Sequence, residues 1–378
     1  MSVAEVAVGA RVSYPQPDPF RRAVSAAVSE HLRAEGLVAR GGRRLWAKAA
    51  AMVVWVAASY AVLVWVPLHP VAAVLATVSL GLAGAGVGMS VKHDAVHQAF
   101  SHRPAVNSAV AHVGSLYGLT VGWWREKHNR LHHGFTNVSG LDDDLDIGRL
   151  ARLAPDQPWR PWHRGQHVYL WALYPFLALG QVVGADLRFV LFGRVGPHRV
   201  AEPGVSRSAV LLADKLAGLG LLVGVALLWH PWPHVLAVLI GLYLVGGLAL
   251  ALTFVVEHTV DTSTFPVVDP VRGTVATGRS EATVRGSANL ATHSRLLSWY
   301  VGSLNHHIEH HLFPTLPHVQ LPRIAPVVRR ACLDHGLPYQ EFPTLRSALA
   351  AHHRFLRALG APVPASAALD PPPDGPSA

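Results

Sequence analysis

A chain of 378 residues is long enough for one large domain or two small ones, and with 51% hydrophobic and only 15% charged residues it suits a membrane protein better than a soluble globular one. Its formal net charge of +9 fits a face near anionic lipid or an acidic protein partner; nucleic acid is disfavoured, because the basic residues form no aromatic-interleaved stripe and apolar spans separate them. Cys332 is the single cysteine, which excludes a disulfide framework and a thiolate cluster, whereas histidine occurs 24 times.

Residues 1–45 are polar to mixed and carry Arg21, Arg22, Arg33, Arg40, Arg43 and Arg44. They lack a continuous apolar core behind a basic start, so no cleavable signal peptide is expected. Apolar runs at about 46–66 and 71–91, joined by Pro67–Pro70, are each long enough for a helix to cross hydrocarbon and read as a hairpin. A second hairpin follows at about 209–229 and 234–256, joined by His230-Pro231-Trp232-Pro233. Inside the spans, Gly84-Ala85-Gly86-Val87-Gly88 and Gly218-Leu219-Gly220 follow no strand and read as helix-packing surfaces, not nucleotide loops. Residues 361–378, rich in Pro and Ala, read as a disordered tail, leaving 46–360 as the membrane domain.

Neither hairpin turn contains Lys or Arg, while the opposite flanks are rich in both, so both termini and the regions 92–207 and 257–378 are expected on the cytoplasmic side. Val168–Phe192 is also apolar, but it carries Gln181, Asp186 and Arg188. A crossing there would split the histidines before it from those after it, so it is expected to lie in the interface. Ala105–Trp124 is kept out of the membrane on the same ground. The fold class expected is therefore all-α and integral to the membrane, with four transmembrane helices in two hairpins and a cytoplasmic helical cap.

The histidines are not scattered. His93-Asp94-Ala95-Val96-His97 directly follows the second span, and its i, i+4 pair puts both rings on one helical face. His128-Asn129-Arg130-Leu131-His132-His133 repeats that pair and adds a neighbour, which points about 100° away on a helix and so suits a second ion. Asn305-His306-His307-Ile308-Glu309-His310-His311 ends in the same doublet, and His307, His310 and His311 are expected on nearly one face. Two doubled boxes make a binuclear centre the natural reading. His258, at the end of the fourth span, is a candidate ninth ligand. Asp94, Glu126, Glu257, Glu309 and the run Asp142-Asp143-Asp144-Leu145-Asp146 can accept ring N–H groups, and Asn305 can hold a metal-bound water or cap a helix. The remaining histidines, among them His102, His112, His163, His167, His293, His306 and His318, fit no ligand spacing.

These boxes, HDAVH, HNRLHH and HHIEHH with Leu312-Phe313-Pro314 behind the last, resemble those of the integral-membrane fatty-acid desaturases. So do Thr136-Asn137, Gln166-His167-Val168-Tyr169 and Thr253–Pro266 around His258. The resemblance runs from about residue 46 to 360. It implies a four-span fold whose cytoplasmic cap holds two non-haem irons, and oxygen-dependent insertion of a double bond into a long acyl chain. Carried over by motif, the iron ligands are His93, His97, His128, His132, His133, His258, His307, His310 and His311. Two departures stand out. Front-end members of the family often carry Gln where this chain has His307, and many have a fused b5-type domain whose His-Pro-Gly-Gly signature is missing from this sequence.

Imidazole binds several metals; structural zinc needs only four ligands, whereas redox iron accounts for both the histidine excess and the membrane anchor. An apolar tunnel lined by Trp123, Trp124 or Trp299 is expected to hold the acyl chain, carried on CoA, acyl carrier protein or lipid. With no flavin or nucleotide motif, electrons for O2 reduction are expected from a separate donor such as ferredoxin and its reductase. A hydroxylase on the same scaffold stays open as an alternative. A metal transporter fits less well, since it would set its ligands near the bilayer midplane.

Overall fold

The computed structural model describes residues 12–115, 117–200 and 204–362. Most of the expected C-terminal tail, and the first eleven residues, lie outside that range. The chain is helical, with two two-stranded sheets, antiparallel β1 (Arg194–Val195) with β2 (His198–Arg199) and parallel β3 (Asn289–Leu290) with β4 (Glu341–Phe342).

Helix α1 covers Pro19–Ala34, capped by the Asp18 side chain accepting from the Arg21 N–H. Helix α2, Arg43–Trp65, starts after Gly41-Gly42 and ends where Val66 turns extended before Pro67. Helix α3, Pro70–Gly86, has proline in its first turn and His69 as cap, and it runs on through a π-helical stretch Val87–Lys92 into a short turn His93–Val96. Helix α4, Pro104–Ser115, is too short to cross a membrane. Helix α5, Val121–Trp124, passes directly into a π-helix, Arg125–His132.

A long helical run, Pro161–Phe192, follows. It comprises a 3-10 turn, α6 (Gln166–Leu173), a second 3-10 turn at Pro175 and α7 (Leu177–Phe192), which stops at Gly193 in the left-handed conformation, φ 54°. Helix α8, Val205–Leu219, continues in π and α turns to Leu227, and α9 spans Trp232–Phe254. Five of these runs are long and apolar enough to cross a bilayer: Arg43–Trp65, Pro70–Val96, Pro161–Phe192, Val205–Leu227 and Trp232–Phe254. Four coincide with the spans expected from sequence. Pro161–Phe192 includes the segment assigned there to the interface, and its length makes it a fifth candidate.

Helix α9 is the central post. It lies against α3, where Gly81 brings the backbones so close that an added Cβ would sit 2.8 Å from the Leu242 carbonyl oxygen. At Gly247 a Cβ would run into the Pro175 carbonyl of the α6–α7 junction. These contacts hold the span helices at fixed spacing.

The C-terminal helices form one body around the histidine-bearing ends of the runs: α10 (Arg279–Arg285), α11 (Arg295–Tyr300), α12 (His307–Leu312), α13 (Leu321–Asp334) and α14 (Leu345–Gly360). Val24 and Val28 of α1 share a core with Ile308, Leu312, Ile324 and Val328. Each such side chain contributes roughly 1.5–3 kcal/mol by leaving water, so the N-terminal helix clamps the element that carries the third histidine box.

Candidate metal centre

The three boxes and His258 meet in one buried region and divide into two clusters. Nitrogens of His93, His97, His128, His133 and His310 lie within 4.8 Å of one another, and so do those of His132, His258, His307 and His311. The division runs through the boxes. In the π-helix the His133 N–H bonds the His128 carbonyl five residues back, at 2.9 Å. That register brings the His133 Nε2 to 3.2 Å from the His128 Nε2 and turns His132 toward His258 and His311, at ring-centroid distances of 4.6 and 4.9 Å.

The i, i+4 pairing of His128 with His132 expected from an α-helix is thus replaced by an i, i+5 pairing with His133, although His128 and His132 still converge with Asp144 in a third group. Box three is split as well. In α12 the Nε2 atoms of His307 and His311 are 3.0 Å apart, whereas His310 turns away to bring its Nε2 within 3.0 Å of His133.

The outward ring nitrogens identify the species facing inward. His258 Nδ1 donates to the Gly286 carbonyl at 3.0 Å. His307 Nδ1 lies 3.1 Å from the Leu304 carbonyl oxygen and 2.7 Å from Glu257 Oε2. The Thr136 hydroxyl donates to the His132 carbonyl, so its oxygen is free to accept from His311 Nδ1 at 3.2 Å. All three rings therefore spend their N–H outward and present bare Nε2 lone pairs inward, at mutual distances of 2.7, 3.0 and 3.1 Å. Three lone pairs so close repel unless a cation sits among them.

Protons do not supply that charge. Burial, then neighbouring imidazoles, hold His258, His307 and His311 well below the ordinary histidine range. His132 is held by Asp142, with Nδ1–oxygen distances of 3.0 and 3.1 Å; burial opposes its charged form, but Asp142 and Asp144 outweigh that and raise it. In the other cluster, burial pushes His97 down to about 3, and its buried Nε2 has no hydrogen-bond partner. Nitrogen-only cages of five and four rings fit two divalent transition ions.

Of the carboxylates nominated from sequence, Asp142 and Asp144 reach the His132 ring, and Glu257 lies beside His307. Asp94 bonds the His318 ring at 2.8 Å, and His318 in turn meets Lys48. Glu126 pairs with Arg130, and Glu309 accepts from Asn289 and Tyr339. Each sits beside a ligand position on a helical turn, where adjacent side chains diverge. Asn305 donates to the carbonyls of Leu290 and Ala291 and to Ser298, pinning the loop behind box three. Asn137, at φ 57°, donates to the carbonyls of His258, Thr264 and Gly286 and so fixes the strand of chain that orients His258.

A cavity of about 470 Å³ reaches the centre, its walls including His128 and His258, one ring from each cluster, together with Trp123, Trp124 and Phe254. Trp124 also stacks on His128 with ring centroids 5.0 Å apart. Trp299 does not line this cavity; it is 45% exposed, with Lys48 over its ring at 5.6 Å.

Buried histidine cages at the ends of membrane-length helices, opening on an apolar cavity, define a multi-pass membrane enzyme that acts on an apolar substrate. Residues 68–343 match the family model described as Fatty acid desaturase. The chain is 29% identical over 352 residues to the sn-1 linoleoyl-lipid 6-desaturase of Synechocystis sp., covering 93% of this chain and 98% of that protein. It is 31% identical over 361 residues to the chloroplastic acyl-lipid (7-3)-desaturase of Chlamydomonas reinhardtii (92% and 68%), and 32% identical over 285 residues to the acyl-lipid (8-3)-desaturase of Physcomitrium patens (74% and 59%). The chain belongs to the fatty acid desaturase family and is a fatty-acyl desaturase.

Proposed function

We propose that this enzyme converts CH2–CH2 to CH=CH in the acyl chain of a membrane lipid, at two irons held by the two histidine clusters on the cytoplasmic side. The observation that carries the reading is the pair of all-imidazole cages, each contributing one ring to the wall of the same apolar cavity. Irons bound there would supply the reduction of O2 to two waters, using two hydrogens from the substrate, two protons and two electrons from an external donor such as ferredoxin. The chain's own part is positional. Asp142, Thr136 and the Gly286 and Leu304 carbonyls fix ring orientation and tautomer. Trp123, Trp124 and Phe254 wall the cavity beside the rings and keep water from the chain.

Four crossings, with Pro161–Phe192 lying in the interface, are supported by proximity. His132 and His258 are packed ring to ring, and three candidate spans separate them in sequence. An even number of crossings must intervene for the two to share a face.

Expression in a host supplied with ferredoxin and its reductase, beside a His310→Ala control, tests the function. Host lipids should gain acyl chains lighter by two hydrogens, and the control should show none. Chains heavier by one oxygen would make it a hydroxylase, and an unchanged profile despite bound iron and a working donor would sink the proposal.

A further inference from the structure

The mouth of the 470 Å³ cavity has two unlike edges. Leu177, Gly180, Gln181, Gly184 and Arg188 of α7 line it at helical offsets of three and four, so one face of the helix forms its side over about 16 Å. Gly180 and Gly184 are not there for close helix packing: an added Cβ at either would meet nothing within 4 Å. Their small size opens a groove.

At one end the rim is apolar and exposed, with Leu150 at 59% and Phe176 at 51%. At the other it carries Arg188 and Arg194, both exposed. Among the described residues Arg188 has no carboxylate partner, and the Arg194 guanidinium reaches only the Pro197 carbonyl. Of the acidic groups on the same wall, Asp143 and Asp144 pair with Lys127 and Asp142 with His132, while Asp146 accepts the Gly148 N–H. Flanking that face, α7 exposes Val183, Leu187, Leu191 and Phe192 at 53–71%, a surface suited to lipid and not to water, while its far side (Ala178, Val182, Asp186 and Phe189) is buried.

Resting on the lipid-linked reading above, we propose that the substrate enters sideways from the bilayer through this groove, its anionic glycerolipid phosphate left on Arg188 and Arg194 while the acyl chain slides over Gly180 and Gly184 to the centre. A cationic end beside an apolar end matches a molecule with one anionic head and a long tail. The exposed apolar face of α7 puts the opening where such lipids are.

The test uses the full iron-loaded chain in nanodiscs with ferredoxin, its reductase and NADPH, and three substrates with the same acyl chain: phosphatidylglycerol, an uncharged galactolipid and acyl-CoA. In the Arg188→Ala, Arg194→Ala double variant, KM for phosphatidylglycerol should rise about tenfold or more, the loss expected for charge-assisted phosphate contacts. Its kcat should hold, and the galactolipid should be turned over as by wild type. Gly180→Leu and Gly184→Leu should slow both lipids while bound iron stays constant. An unchanged KM, or equal losses on charged and uncharged lipid, overturns the head-group site, and full activity of both glycine variants overturns the lateral groove. Wild-type turnover of acyl-CoA alone, or of none of the three, defeats the lipid-linked reading itself and this proposal with it.

Discussion

His307 is held by its Nδ1, which donates to the Leu304 carbonyl at 3.1 Å, and its Nε2 converges with His258 at 2.7 Å; Glu257 Oε2 lies 2.7 Å from the Nδ1 without a hydrogen bond of its own. Burial alone pushes Glu257 well above the usual carboxylate range, and a cation at the facing imidazole is what favours its charged form. Replacing Glu257 by Ala should therefore weaken iron binding roughly 10–100-fold, as measured by competition with a chelator. His307→Ala, which removes a ring outright, should take bound iron from about two per chain toward one. Wild-type affinity in Glu257→Ala would mean that the carboxylate orients nothing. At this scale the sequence shows the ligating type well, because clustered histidines have few other uses. It hides the partners, since the acceptors at Gly286 and Leu304 are backbone carbonyls and leave no trace in residue identity. Asp94 and Glu309 misled for the converse reason: adjacency in sequence on a helix means divergence in space.

The π-helix Arg125–His132 sets which rings share a cluster. One residue more per turn than the α-helix puts His133 under His128 and sends His132 to the opposite side, a use of the π-bulge common at functional sites. Deleting Arg130, which is exposed and bonds only Glu126, should restore α register and bring the former His133 to the i+4 position. The first cluster would keep its pair, while the second would lose the ring now supplied by His132. Activity should fall below about 1% and bound iron toward one per chain, with helical content by circular dichroism intact. Two irons and full activity in the deletion would show that the register does not matter. Sequence anticipates that His132 and His133 face different ways, and they do. It pairs the wrong one with His128, because a single extra residue in a polar helix leaves the apolar pattern unchanged.

For the whole molecule, length and apolarity reveal four helices to within a few residues, since hydrocarbon thickness dictates both. They do not settle Pro161–Phe192, which satisfies the same rule yet kinks at Pro175, carries Asp186 paired with Lys215, and is fixed by contacts with α9 that no local pattern encodes. Nor does the mixed composition of residues 19–34 disclose that α1 closes the body holding box three. The topology yields to single-cysteine labelling in sealed vesicles with Cys332 replaced by Ser. Trp162 opens the disputed run and Val205 follows it, and Val271 lies beyond α9; they are 51%, 89% and 92% exposed. Trp162→Cys, Val205→Cys and Val271→Cys should all react with an impermeant maleimide from the cytoplasmic face, and Trp229→Cys, in the second hairpin turn, from the other. Opposite sidedness of Trp162→Cys and Val205→Cys would make the run a true crossing. One helix of the second hairpin, Val205–Leu227 or Trp232–Phe254, would then have to fail to cross, because the rings of His132 and His258 cannot meet through a bilayer.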